Sequence, residues 1–196
     1  TMSGPAIFSM LINALYNIID SIFVAQIGED ALTAVTIGGP IQFFMVSMGV
    51  GTGVGINSLI SRRLGAKKFE DANNAANSGL KLAIFNWLIF VIFGIFFAKP
   101  FIEIFSNDPS IVKQGVSYLS IVTVISCFCM LELLLEKIFQ ATGNMVYPMI
   151  TMITGALVNT IVDPILIFGL LGAPKLGVTG AAISTVFAQF VSMSVG

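Results

Sequence analysis

Six long apolar stretches, separated by short polar segments, set the main limit on how this chain can fold. The hydrocarbon core of a bilayer is about 30 Å thick, and a helix needs about 20 apolar residues to cross it. Helices are the expected spanning structure, because lipid offers no partner for backbone polar groups and the sequence shows no strand-like alternation. The sequence therefore predicts an all-α integral membrane protein, a single bundle of six transmembrane helices over residues 1–196. The predicted spans are 5–27, 35–60, 75–98, 116–139, 145–171 and 177–196.

The composition agrees with a bilayer as the main solvent and excludes several functions. Of the 196 residues, 56% are hydrophobic and only 10% are charged, whereas soluble domains carry about 25% charged residues. A net charge of −1 gives no basic footprint for nucleic acid. Histidine is absent, so any proton transfer is expected to use carboxyl groups. No cofactor and no transition-metal site are predicted.

Basic residues indicate how the bundle is oriented in the membrane. Cytoplasmic loops carry an excess of lysine and arginine, and the two sides of the predicted bundle differ in this respect. One side carries Arg62, Arg63, Lys67, Lys68, Lys81 and Lys137, and the other carries Lys99, Lys113 and Lys175. The imbalance predicts a multi-pass protein of the inner (cytoplasmic) membrane, with both ends of the chain in the cytoplasm.

Two aspartates interrupt the apolar stretches, Asp20 in the first and Asp163 in the fifth. A charged residue at the centre of the bilayer costs about 2.5–3.5 kcal/mol on an insertion scale, so each aspartate needs an explanation. Each lies 15 residues after a proline, Pro5 or Pro148, which is about 22 Å along a helix. Both helices are expected to start on the same side, so the two carboxyl groups should lie at similar depth and share one cavity.

Polar residues accompany each aspartate on its own helix face. Residues three, four or seven positions apart lie on the same side of a helix, and such stripes can hydrogen-bond one protonation state of a carboxyl group. The first stripe comprises Asn13, Tyr16 and Asn17 before Asp20. On the fifth stretch Thr151, Gly155, Asn159 and Asp163 repeat at four-residue spacing, with Thr151 and Asn159 as the polar members. They are compatible with a proton-dependent switch, and equally with aspartates that only hold helices together.

Pro164 follows Asp163 directly and adds a second irregularity to the fifth stretch. A proline inside a helix removes one backbone hydrogen bond, here the bond to the carbonyl of Thr160, and tends to bend the helix. A carboxyl group beside a broken helical turn is a common way to build an ion site in transporters. Pro164 is therefore predicted to mark a helix bend next to the candidate site.

Four glycines lie two residues apart in the second stretch. They form two overlapping G-x-x-x-G pairs, which permit close packing of helices; a bending point is the alternative interpretation. A dinucleotide fingerprint is excluded, because its third glycine is missing. The glycines are Gly49, Gly51, Gly53 and Gly55.

Glu132 and Glu136 lie one helical turn apart near the predicted cytoplasmic end of the fourth stretch, with Lys137 beside them. Anchoring at the membrane interface is one interpretation of this group. A second carboxylate for a cation or a substrate is the other.

The segments that contain the two aspartates resemble the multidrug and toxic compound extrusion (MATE) family, specifically its amino-terminal six-helix lobe. The resemblance covers essentially the whole chain. It is carried by the first-helix segment Leu15-Tyr16-Asn17-Ile18-Ile19-Asp20, the fifth-helix segment Asn159-Thr160-Ile161-Val162-Asp163-Pro164 and the start of the sixth helix, Gly177-Val178-Thr179-Gly180-Ala181-Ala182.

The resemblance implies a cation-coupled antiporter that exports drugs or organic cations in exchange for H⁺ or Na⁺, and not an enzyme. It implies that H⁺ or Na⁺ is bound in the amino-terminal lobe, with Tyr118 and Thr185 at further polar positions and Pro5 at a bend of the first helix. The cation-binding residues that it implies are Asp20, Asn159 and Asp163.

The resemblance also implies a partner, because family members have about twelve spans. The expected partners are a drug-like small molecule, the lipid bilayer and a second six-helix lobe, on the same polypeptide or on another chain. A lipid-linked precursor flippase of the same superfamily and a structural membrane subunit without transport remain alternatives. An intramembrane aspartyl protease is disfavoured, since neither aspartate lies in a G-x-G-D motif.

Overall fold

The computed structural model describes residues 11, 12, 15 and 18–195, and within these residues the regular structure is entirely helical. Short turns join the helices, so consecutive helices pack as neighbours. In chain order the helices are α1 (residues 18–25), α2 (Glu29–Gly65), α3 (Phe69–Ile92), a π-helical turn (Phe93–Phe97), α4 (Ala98–Phe105), α5 (Pro109–Val124), α6 (Cys127–Ala141), α7 (Val146–Phe168), a 3-10 turn (Leu170–Gly172) and α8 (Val178–Val195).

Within the described part of the chain, four helical segments are long and apolar enough to cross a membrane, and a fifth is formed if α5 and α6 are taken as one bent span. The four are α2, the continuous segment from α3 to α4, α7 and α8. The predicted spans that start at residues 35, 75, 145 and 177 lie on these segments. The predicted span 5–27 falls partly outside the described residues. The all-helical membrane architecture that the sequence predicts is confirmed.

The predicted span 116–139 is two helices rather than one. α5 and α6 meet at an angle of 46°, and side chains add hydrogen bonds to those of the backbone at the junction. The indole Nε1–H of Trp87 in α3 donates to the carbonyl of Val124 at 2.8 Å, and the Ser126 hydroxyl donates to the carbonyl of Thr123 at 2.7 Å. The Trp87 contact gives the Val124 carbonyl a partner at the break, whereas the Thr123 carbonyl also accepts from the backbone N–H of Ser126 at 3.4 Å.

One of the two glycine pairs in α2 forms a helix contact. A Cβ atom on Gly49 would lie 2.6 Å from Leu133 Cδ1, and one on Gly53 would lie 2.7 Å from Lys137 Cγ, so both glycines face α6 closely. A Cβ atom on Gly51 or Gly55 would meet nothing within 4 Å. The packing interpretation therefore holds for Gly49 and Gly53, whereas the other pair faces open space.

The closest helix contact that bears on the site joins α7 to α8. A Cβ atom on Gly180 would lie 2.6 Å from the carbonyl oxygen of Leu166, so only glycine lets the start of α8 approach α7 this closely. At the other end of the pair, the Ser192 hydroxyl donates to the carbonyl of Thr151 at 2.8 Å. The antiparallel contact brings the buried face of α8 against the polar stripe of α7.

Gly180→Ala is expected to lower the stability of the protein by about 1–3 kcal/mol, because the added methyl group meets rigid backbone. Gly51→Ala is the matched control and should be neutral or slightly stabilising, since it adds a methyl group in open space and removes a helix-destabilising glycine. Unfolding of the purified intact protein in mixed detergent micelles measures both changes. Equal stability of the two variants would contradict the close α7–α8 contact.

Candidate functional site

Asp163 lies in the interior of the bundle, on α7. Its side chain is 0% exposed, and its Oδ1 accepts a hydrogen bond from the hydroxyl of Ser184 on α8. α7 continues through Pro164 as one helix to Phe168. The chain then turns at Gly169, which has a left-handed backbone (φ 76°) that favours glycine. The turn leads the chain back so that α8 can pack beside the aspartate.

The side chains of Asp20 of α1 and Asp163 lie within interaction distance of each other. The structure thus brings together the two carboxyl groups that the sequence predicts to share a cavity. A hydrogen bond between two carboxyl groups requires a proton on at least one of them, and two ionised groups at this distance would repel each other. Such a pair is chemically able to take up a positive charge.

Four buried side-chain atoms at this point have no hydrogen-bond partner among the residues that the structure describes. They are Asp20 Oδ1, Asp163 Oδ2, and both Oδ1 and Nδ2 of Asn159. Asn159 is 1% exposed and lies one turn before Asp163 on α7. Unsatisfied buried polar groups are rare, and each needs an explanation. Carboxylate and amide oxygens suit hard cations, so this set fits either Na⁺ or a shared proton.

A classical metal centre is not formed by the part of the chain that the structure describes. No group of three or more histidine, cysteine, aspartate or glutamate side chains is placed to hold a metal ion there. A monovalent cation at this position would need the amide oxygen of Asn159 in addition to the two carboxyl groups. The donor set is thus suited to a weakly held, exchangeable ion.

Tyr118 of α5 lies beside the carboxyl pair. It is 3% exposed and interacts electrostatically with both Asp20 and Asp163. Its hydroxyl donates to Gln42 Oε1 of α2 at 3.1 Å. Sequence reasoning did not select Gln42, although an amide side chain within the apolar span 35–60 was a signal that could have identified it.

Thr185 and Ser184 are neighbours on α8 with different contacts. The Thr185 hydroxyl donates to the carbonyl of Ala181 at 2.9 Å, within its own helix. Ser184, which the sequence analysis did not select, is the residue that reaches Asp163, and its hydroxyl also lies 3.0 Å from the Ala181 carbonyl. Thr185 is buried nearby, so its part in the site stays a prediction.

Four predicted residues cannot be placed relative to the site. The first-helix stripe and the first-helix bend lie outside the described residues and stay predictions. These residues are Pro5, Asn13, Tyr16 and Asn17.

The fold and the site define a class: a multi-pass helical membrane protein with a pair of contacting carboxyl groups in its interior. The MatE family model matches residues 5–165. The chain belongs to the MATE family, which confirms the resemblance noted in its sequence.

Curated relatives include transporters of different named substrates. The chain is 25% identical over 193 residues to an FAD transporter of Shewanella oneidensis, covering 98% of this chain and 43% of that protein. It is 29% identical over 185 residues to the multidrug export protein MepA of Staphylococcus aureus, and the match covers 93% of this chain and 40% of that protein. It is 24% identical to the probable multidrug resistance protein YoeA of Bacillus subtilis, and the match covers 97% of this chain and 42% of that protein.

Solved structures show the same fold. A transporter of the MOP superfamily from Pyrococcus furiosus, described as having a binding pocket of reverse polarity, aligns with a TM-score of 0.91 at 26% identity and covers 98% of this chain. A MATE transporter in an outward-facing conformation aligns with a TM-score of 0.86 at 26% identity, again over 98% of this chain. The chain spans 42% of the length of each of these structures.

Ser184→Ala is expected to destabilise the protein by about 1–3 kcal/mol, because it removes a hydroxyl donor from a buried carboxyl group. Ser194→Ala is the matched control on the same helix, since that exposed hydroxyl only bonds the carbonyl of Phe190. A double-mutant cycle with Asp163→Asn, followed by unfolding in mixed micelles, should give a coupling energy for Ser184 and none for Ser194. Additive effects of Ser184→Ala and Asp163→Asn would show that the contact has no energetic weight.

Proposed function

We propose that this chain is the cation-binding lobe of an antiporter that exports drugs or organic cations in exchange for H⁺ or Na⁺. The close approach of Asp20 and Asp163 carries the proposal, together with the four atoms of this site that lack a hydrogen-bond partner within the described part of the chain. The names of the relatives support transport, since several are described as multidrug export proteins. Transport of solutes, rather than catalysis, is the activity proposed.

The coupling step follows from the charge of the pair. Two ionised carboxyl groups about 4 Å apart repel each other by about 4 kcal/mol at an effective dielectric constant of 20. A proton or Na⁺ bound at Asp20, Asn159 and Asp163 removes that repulsion and draws α1 towards α7. Release of the cation restores the repulsion and loosens this contact. Occupancy thereby biases the equilibrium between two arrangements of the lobe, as coupling requires.

The other predicted residues take supporting parts. Tyr118 and Thr185 complete the polar wall of the site, and Pro5 and Pro164 allow the first and fifth spans to bend. Asn13, Tyr16 and Asn17 provide hydrogen bonds along the first span. In this proposal the coupling cation is a transported ion and not a cofactor.

The proposed setting is the cytoplasmic membrane, with both ends of the chain in the cytoplasm. The basic residues Arg62, Arg63, Lys67 and Lys68 at the end of α2 and in the turn that follows support this orientation. The chain spans 42% of the matched transporters, which supports a second six-helix lobe as partner. The two lobes would enclose a path for a drug-like molecule.

A flippase for a lipid-linked pyrophosphate is less well supported than drug export. Such a substrate calls for basic groups inside the bundle. Lys137, a basic side chain in a partly buried position, already pairs with Glu136 at 3.0 Å. Because one relative is described as an FAD transporter, a substrate screen is needed to identify the exported molecule.

Asp163→Asn and Asp20→Asn are each expected to abolish gradient-driven export by the intact transporter, because an amide neither takes up a proton nor binds a monovalent cation as a carboxylate does. The matched control is Asp30→Asn, an exposed position at the start of α2. The measurement is efflux of a cationic dye from proteoliposomes under an imposed H⁺ or Na⁺ gradient, each tested alone.

The control should keep its gradient-driven efflux, and the gradient that drives it identifies the coupling ion. Undiminished efflux by both aspartate variants would refute the assignment of the cation site. A protein that moves no dye, no flavin and no lipid-linked substrate under either gradient would instead be a structural subunit.

A further inference from the structure

A second interior carboxyl group, that of Glu132 on α6, lies away from the aspartate pair. Glu132 Oε1 is in hydrogen-bond contact with the hydroxyl oxygen of Ser192 on α8. The same hydroxyl oxygen lies 2.8 Å from the carbonyl oxygen of Thr151 on α7. Ser184, which bonds Asp163, and Ser192 are eight residues apart on α8, or about 12 Å along the helix axis. Three helices therefore meet at one buried serine hydroxyl, at a different depth from the aspartate pair.

The two contacts of the Ser192 hydroxyl need two hydrogens. A serine hydroxyl carries a single hydrogen, and the Thr151 carbonyl oxygen can only accept. An ionised Glu132 carboxylate can also only accept, so one of the two oxygen pairs would then have no hydrogen between its members. A protonated Glu132 supplies the missing hydrogen. Its O–H donates to Ser192 Oγ, and the Ser192 O–H donates to the Thr151 carbonyl.

The charges on α6 also favour the neutral acid. Lys137 forms a salt bridge with Glu136 at 3.0 Å, and among the described residues no basic side chain forms a salt bridge with Glu132. The ionisable groups that interact with Glu132 on its own helix are Glu136 and the buried thiol of Cys129. Neither of them stabilises a negative charge. An ionised Glu132 would be an uncompensated charge inside the bundle, which is costly.

The neighbouring helices bring no opposite charge to this carboxyl group within the described part of the chain. The α7 and α8 side chains that line the space beside it are Thr151, Ser192 and Met193, and none of them is charged. α2 and α3 approach α6 through glycines that face Leu133 and Leu134. The space has a volume of about 10 Å³, enough for about one water molecule. A proton fits this position, and a larger cation does not.

Gly155, one turn after Thr151 on α7, makes the contact between the three helices possible. A Cβ atom on Gly155 would lie 3.3 Å from Ser192 Cβ and 3.4 Å from Ser192 Oγ. The missing side chain lets α8 come close enough for the Ser192 hydroxyl to reach the Thr151 carbonyl. The polar stripe of α7 therefore serves two places, with Asn159 and Asp163 at the aspartate pair and Thr151 and Gly155 at Ser192.

We infer that Glu132 is a second proton-binding site of the lobe, with its proton held in a hydrogen-bonded chain from Glu132 through Ser192 to the Thr151 carbonyl. The proton joins α6 to α7 and α8 near the end of α8. When the proton leaves, Ser192 has one hydrogen for two acceptors, so one of the two contacts is lost. The site does not depend on the ion proposed at Asp20 and Asp163.

Infrared difference spectroscopy of the intact transporter in detergent tests the inference, because the carbonyl band of a carboxylic acid is separate from the bands of a carboxylate. At neutral pH the spectrum of the parent protein minus that of Glu132→Gln should contain an acid carbonyl band that shifts in D2O. The matched control is Glu103→Gln, since the Glu103 carboxylate of α4 lies at the surface beside Lys99. Its difference spectrum should lack that band. Carboxylate bands alone in the Glu132→Gln difference spectrum would overturn the inference.

Ser192→Ala covers the case in which Glu132→Gln does not fold. This variant keeps the carboxyl group and removes the acceptor of its proton. The acid carbonyl band should move to higher frequency, as expected for a carboxylic acid whose O–H has lost a hydrogen bond. Ser194→Ala, at an exposed position of the same helix, should leave the band in place. An acid band at the same frequency in both serine variants would also overturn the inference.

Asp163→Asn separates this inference from the proposed function. This variant should lose gradient-driven export and keep the acid band that Glu132→Gln removes. Retained export would refute the coupling role of Asp163 without affecting the proton site at Glu132. Loss of the same band in Asp163→Asn would show that the band belongs to the aspartate pair and would overturn the separate site.

Discussion

The contact between two carboxyl groups inside an apolar bundle is the constraint on which the other features of this lobe depend. Asp20 and Asp163 lie on helices far apart in the sequence, and each is costly to bury alone. Their contact is stable only when a positive charge is shared between them. The surrounding hydrogen bonds can be understood from this requirement. Ser184 donates to one oxygen of Asp163, whereas Asp20 Oδ1 and Asp163 Oδ2 have no partner among the described residues.

α8 is the element that contacts two carboxyl groups of the bundle, Asp163 and Glu132. Its small residues permit close approach to α7, most clearly at Gly180, where any side chain would meet the Leu166 carbonyl. Because the helices lie so close, two short serine side chains are long enough to reach carboxyl groups on different neighbours. Asp163 and Glu132 therefore lie at separate positions along one helix.

The bend between α5 and α6 divides the predicted span 116–139 into two helices, one beside Asp163 and one that carries Glu132. α5 carries Tyr118 beside the aspartate pair, and α6 carries Glu132 beside the end of α8. A single straight helix would not place Tyr118 beside the aspartate pair and Glu132 beside the end of α8. The indole of Trp87 and the glycine contacts of Gly49 and Gly53 hold the bent segment against α3 and α2.

The sequence by itself determined the helical membrane architecture and the identity of the two interior aspartates, because hydropathy over about 20 residues and the cost of a charge in lipid are local properties. It did not determine the break at residues 125–126, which contains neither proline nor glycine. Nor did it determine that Ser184 rather than Thr185 contacts Asp163, or that Gly49 and Gly53 pack while Gly51 faces open space. Successive residues differ by about 100° around a helix. Which of two neighbours faces a partner therefore depends on how each helix is rotated, and only the packing of the whole bundle sets that rotation.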